Sequence, residues 1–345
     1  MRILTLMMRI LTLVLTTIFL SNISAEHSHA KGTGLIFVSN ERDHSITVLD
    51  PNTYKPIASI DSGRRPRDMQ WNEDKTKLYV AASDDDRIEI IDVATSKIVG
   101  YVHPDEDPEM FDITPDGKIL IASNEDDNMV SFVDIEKDKI IAQIPTGVEP
   151  EGVTISPDGK HVYITAEVSE MVHIIDIENQ KTLADVLVGS RPRRAFFTLD
   201  GQEYWVTNEV SGYVSVIDTK TYKEKQRISF KPPGLREGDI TPVGININPN
   251  GKTAYVTLGH ANRLALVDVA TKKVRKYLVV GVRAWNVEFS SDGKNLFVVN
   301  SGSDDVTVIN AEKEEVIKTF EKNKHILIDA KISERKIENL EKKKN

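Results

Sequence analysis

The sequence predicts an all-β fold, a seven-bladed β-propeller of four-stranded antiparallel blades, from three markers that share one period. An aspartate or asparagine closes an apolar run at Asp50, Asp92, Asp134, Asp176, Asp218, Asp268 and Asn310, with steps of 42, 42, 42, 42, 50 and 42 residues. A turn glycine recurs in phase at Gly117, Gly159, Gly201, Gly251 and Gly293. A proline does so at Pro66, Pro108, Pro150, Pro192 and Pro242, with Ala284 at the next position. A fixed period of about 40 residues overrides the two-domain expectation for a chain of this length, because such units bury their faces only against copies of themselves.

One unit, residues 147–188, shows the internal plan. The runs VTIS, HVYIT, VHIID and LADVLV alternate apolar and polar residues between Pro, Gly and Asp punctuation, which reads as four strands joined by tight turns. The first unit begins at Leu35 with the equivalent of the second strand, LIFVS, so it supplies three strands. VIKTF (316–320) completes the seventh unit, and HILIDAKI (325–332) is one strand further. That strand is expected to enter the first blade and close the ring, leaving no open edge there. The propeller is thus expected over 35–332, followed by a charged tail over 333–345.

Residues 1–25 read as a signal peptide: a short basic region, the apolar run 10–20 and the small-residue stretch 21–25. Cleavage is expected after Ala25, or after Ala30, with 26–34 a flexible leader. MRILTL occurs at 1–6 and again at 8–13, so Met7 and Met8 are alternative starts. An uncleaved anchor is the competing reading, for which an 11-residue run is short, and no membrane span is expected after cleavage. The expected location is the periplasm.

Net charge is −9, which argues against a nucleic-acid partner held by broad electrostatics. The chain has no cysteine, which excludes disulfides, thiol catalysis and covalently attached c-type haem.

The loops entering each innermost strand should ring the mouth of the central channel, and they alternate in charge. Arg64, Arg65 and Arg67 lie in GRRPRD, Glu149 and Glu151 in GVEPEG, and Arg191, Arg193 and Arg194 in GSRPRRA. DEDPEM holds four acids, among them Asp107 and Glu109; Arg283 and Trp285 share GVRAWN. An eight-residue insertion within KPPGLREGD adds Arg236, and His260 sits in the loop LGHAN of the same face. Two readings stay open: basic and acidic loops of neighbouring blades satisfy one another, or convergent guanidinium forks bind a small anionic ligand such as a carboxylate or phosphate.

The acid runs 84–86 and 125–127 lack the spacing of a calcium loop and read as solvated turn residues. No HxxxH or HxH pattern lies on a strand, so no metal site is expected, and no cofactor. GxSxG is absent and no Ser, His and acid set can be assigned. Trp71, Trp205 and Trp285 are expected to pack between blades.

The phrases YWVTN, AYVTL, LYVAA and LFVVN, with the VID and PDGK elements, resemble the YVTN-type β-propeller repeat family. The ordered set NEDDN, GVEPEG, RPRRAFF, ITPVGI, LGHANRLALVD and VGVRAW is similar to one subgroup, the exported propellers associated with pyrroloquinoline quinone (PQQ)-dependent alcohol catabolism in Gram-negative bacteria. The resemblance implies a neighbourhood of quinoprotein dehydrogenases and cytochromes as partners, and supplies no catalytic residues to carry over. The chain does not look like the quinoprotein dehydrogenase itself, whose adjacent-cysteine disulfide and eight tryptophan-docked blades it lacks.

The expected function is therefore an exported, non-catalytic binding or scaffold protein, accessory to PQQ-dependent alcohol oxidation. The alternatives are a lactonase-like hydrolase working in the channel, with His260, Glu209 and Arg283 as its candidate cluster, and an electron-transfer partner.

Overall fold

The computed structural model describes residues 33–321 and 327–334, with side chains for 35–320. The expected signal peptide, nearly all of the expected leader and the residues beyond Glu334 lie outside the described residues. Twenty-eight strands form seven four-stranded antiparallel sheets. Six blades are each built from four consecutive strands. In the first, the last strand, Leu327–Glu334, pairs antiparallel with Thr33–Asn40, so both ends of the propeller share one blade.

Each periodic marker has a local physical cause. The aspartate ending each third strand accepts hydrogen bonds from the turn that follows: Asp50 Oδ1 from the amide of Thr53 at 2.7 Å, Asp92 from Thr95 at 2.8 Å, Asp268 from Thr271 at 2.8 Å. Asn310 serves Lys313 in the same way at 2.7 Å. The recurrent turn glycine is left-handed at all five positions, φ 66–72°, a region costly for other residues.

The core lies between blades. Trp205 is fully buried between the fifth and sixth, and Trp71 meets Phe37 edge-on at 5.7 Å between the first and second. Trp285 is likewise buried between blades, against Val243 of the sixth, and lies on the channel-mouth side.

Candidate functional site

The mouth is built by one device used repeatedly. Arg65, Asp107, Glu149, Arg191 and Arg283 each precede the first residue of an inner strand, and all five are left-handed, φ 43–59°. Such a backbone costs on the order of 1–3 kcal/mol in a non-glycine residue, so surrounding bonds must hold it. They do: each carbonyl accepts an amide from the facing loop, Asp107 from Glu125 at 3.2 Å, Glu149 from Glu167 at 2.8 Å and Arg191 from Glu209 at 2.9 Å. The inner strand then opens with a bulge, seen as register shifts between Pro66 and Met69, Pro108 and Phe111, Pro150 and Val153, and Pro192 and Ala195. A bulge re-aims the side chains it carries. Here it turns Arg67, Glu109, Glu151 and Arg193 into one layer.

A hydroxyl from each of four successive blades, the third to the sixth, fixes that layer to the next. Ser123 Oγ donates to the carbonyl of Glu151 at 2.7 Å, Thr165 Oγ1 to that of Arg193 at 2.8 Å, Thr207 Oγ1 to that of Val243 at 2.7 Å, and Thr257 Oγ1 to that of Trp285 at 3.0 Å.

Across the layer, Arg67 reaches Glu109 at 2.5 Å and Glu151 at 3.7 Å; Arg193 reaches Glu151 at 3.1 Å, Glu209 at 2.7 Å, and Glu167 in a closer contact. Arg65 adds Glu109 at 2.6 Å, Asp107 at 3.1 Å and Glu41 at 3.4 Å, and Arg191 adds Glu167 at 2.6 Å. Arg193 and Arg283 lie over the Trp285 ring, 5.3 and 4.8 Å from its centroid. Asp107, Glu109 and Glu125 bring ligand atoms within 4.8 Å of one another, but the cation at Asp107 and Glu109 is the Arg65 guanidinium.

Six carboxylates thus face four guanidiniums, and the surplus cannot all stay ionised away from water. Burial, with the charge of Glu151 adding to it, pushes Glu167 up to about 8. Burial pushes Asp107 up to about 6, against the pull of Arg65. Glu109 rises well above the usual carboxylate range, again through burial. Burial works against Glu151 as well, but Arg193 and Arg67 outweigh it and hold that carboxyl at about 2.

Of the residues named from sequence, Arg65, Arg67, Glu151, Arg191, Arg193 and Trp285 come together. Arg194 lies deeper, 3.5 Å from Asp68, beside a cavity of about 170 Å³ that Thr154, Phe196, Asn246 and Glu288 also line. Arg283 joins only through Trp285. Four others stand apart. Arg64 is largely exposed and pairs with Asp85 at 2.6 Å. Arg236 pairs with Asp239 within the insertion at 3.2 Å, because a single 3₁₀ turn, Glu237–Asp239, folds that loop on itself. Glu149 contributes its carbonyl, and its side chain is half-buried outside the ion pairs described above. His260 is exposed, its amide donating to Thr241 Oγ1 at 2.8 Å. The expected grouping of His260, Glu209 and Arg283 is replaced by one in which Glu209 turns to Arg193.

Glu41, Glu167 and Asp68 were not singled out from sequence. Glu167 occupies the position equivalent to Glu209, one residue past the second strand, and that equivalence is the signal that finds it.

Residues 179–325 match the sequence profile of a family described as lactonase, 7-bladed beta-propeller. That stretch contains Arg191, Arg193, Glu209, Arg283 and Trp285. No curated protein matches the chain. Among solved structures, the periplasmic gluconolactonase of Pseudomonas aeruginosa is 19% identical, with a TM-score of 0.73 over 87% of this chain and 98% of that one. Hydrazine synthase of Kuenenia stuttgartiensis is 20% identical, with a TM-score of 0.73 over 85% and 99%. A candidate 6-phosphogluconolactonase of Bacteroides uniformis is 16% identical, with a TM-score of 0.71 over 88% and 99%. At these identities the likeness is one of fold.

Proposed function

We propose that the chain is a lactonase-like hydrolase that opens a sugar-derived lactone at the channel mouth. One observation carries this reading: Glu167, raised to about 8, is held between Arg191 and the buried Arg193. A carboxyl tuned near the working pH can take and return a proton, and a neighbouring guanidinium can hold a developing oxyanion. Arg191 is the half-exposed member, so it meets the substrate first.

In the proposed reaction the Glu167 carboxylate accepts a proton from a water molecule as that oxygen attacks the lactone carbonyl carbon. Arg191 stabilises the negative charge on the carbonyl oxygen. The ring carbon–oxygen bond then breaks, the proton passes from Glu167 to the departing ring oxygen, and an open hydroxy acid leaves. The match over 179–325 and the gluconolactonase fold likeness support this reading over the accessory role expected from the sequence.

The test is proton release from a panel of aldonolactones by the purified protein. Turnover above the spontaneous rate is expected for at least one neutral sugar lactone. If the panel gave no turnover while the protein bound a quinoprotein dehydrogenase or cytochrome, the accessory reading would replace this one.

A further inference from the structure

His173 sits on the third strand of the fourth blade, opposite Ile164 on one side and Asp185 on the other. Its ring is nearly buried, and both nitrogens are engaged. The amide of Gly147 donates to Nε2 at 2.8 Å, and Nδ1 lies 2.7 Å from Asp185 Oδ1. A backbone amide can only donate, so Nε2 carries no proton and Nδ1 donates to Asp185. The ring is therefore neutral when this bond is made.

The bond leads to the proposed general base. Next to Gly147, the amide of Val148 donates to Ser169 Oγ at 2.7 Å, and its carbonyl accepts from Val168 at 3.3 Å. The carbonyl of Glu149 then accepts the amide of Glu167 at 2.8 Å. One loop thus connects the imidazole to the backbone of Glu167, and two residues later it carries Glu151.

Other blades hold the equivalent amide with groups of different chemistry. Gly63 donates to Glu89 Oε1 at 3.0 Å and Gly189 to Asn208 Oδ1 at 3.0 Å. The acceptor itself is general; an acceptor that protonation leaves with no acceptor capacity at all belongs, among these three, to the blade of Glu167. The groups packed on the ring are Asp185 from the outer strand, Ile164 from the inner neighbour, and Gly147 and Ser169 from the two loops, so Asp185 is its charged neighbour among the described contacts.

We infer that His173 is a positioning residue for the mouth, a proton-sensitive clamp that holds the 147–151 loop, and through it Glu167, only while the imidazole is neutral. The inference rests on the hydrolase reading for its effect on turnover, but not for the clamp. Protonation places an N–H against the Gly147 N–H, and the loop must then leave its position.

Two measurements on the full chain test it. In nitrogen-15 NMR, the Gly147 amide is expected to shift when the imidazole is protonated as pH is lowered. In His173→Gln, whose amide oxygen can accept the same bond, that shift is expected to vanish. For lactone turnover, the acid limb of kcat is expected to steepen from one proton to two in the wild type and to remain one-proton in His173→Gln. His173→Leu should lose up to about a hundredfold in kcat with KM little changed, the size of a small misplacement of a catalytic group. A Gly147 amide that does not move with pH, or moves equally in His173→Gln, would overturn the clamp. If the clamp titrates but no lactone is hydrolysed, the clamp stands and the hydrolase reading falls.

Discussion

The hydroxyl of Thr165 donates to the carbonyl of Arg193, one blade further round the ring, while accepting the amide of Gly152 at 2.8 Å. One side chain therefore fixes the heights of two neighbouring mouth residues. Replacing it with valine keeps the shape and leaves a buried carbonyl and a buried amide without this partner, at a cost of about 1–3 kcal/mol. Thr165→Ser keeps the hydroxyl and should lose less. Urea unfolding of both variants checks this; equal losses would mean that packing, and not the hydrogen bonds, sets the cost.

Arg193 meets three carboxylates, Glu151, Glu167 and Glu209. Arg193→Met leaves them without it and is expected to cost about 3–5 kcal/mol, as for other broken buried pairs. Adding Glu167→Gln should restore part of that loss, because the two sites are coupled. Strict additivity in the denaturation midpoints would count against a shared network.

The raised carboxyls have a signed consequence. Glu167 is raised from 4.5 to about 8 on folding, so between those values the folded state binds more protons than the unfolded one. Its contribution therefore falls as pH rises through that window, by up to about 1.4 kcal/mol per pH unit. Glu151 acts oppositely: it is lowered from 4.5 to about 2, so its stabilisation is complete above 4.5 and is lost as pH drops towards 2. Glu167→Gln should flatten the decline of stability between about pH 5 and 8. An unchanged slope would show that Glu167 does not hold the extra proton.

Gly152 lies where the fourth and fifth blades approach closely at the mouth. A Cβ there would lie 2.5 Å from the Arg193 carbonyl oxygen and 2.7 Å from Thr165 Oγ1. Gly152→Ala should cost about 1–3 kcal/mol through overpacking. Gly238, in the insertion, has nothing within 4 Å of a built Cβ, and Gly238→Ala should stay within about 0.5 kcal/mol. Thermal unfolding of the pair compares them, and similar midpoints would contradict the close approach.

The blade count and ring closure were legible because each marker answers to local chemistry: an aspartate that caps its own turn, a glycine that must be left-handed, a strand left over at the end. The loops around the mouth could be placed from strand order alone. Adjacent arginines were a different matter. Arg193 enters the layer and Arg194 does not, Arg67 does and Arg64 does not, because the bulge after each periodic proline decides which side chain turns inward, and the proline marks the place of the bulge without showing that direction. Glu167 was not singled out from sequence, yet the left-handed Glu149 draws its loop inward. The threonine of the YVTN-like phrase was given no role from sequence; at Thr165, Thr207 and Thr257 it is the tie between blades.

The measurement that bears most directly on the hydrolase reading is the pH dependence of kcat/KM for an aldonolactone, in the wild type and in Glu167→Gln. The account predicts turnover that rises with pH through a midpoint near 8, the value to which Glu167 is raised, to a plateau above it, and that falls by about two orders of magnitude in the variant. A profile that is flat, or one that Glu167→Gln leaves unchanged, would contradict it.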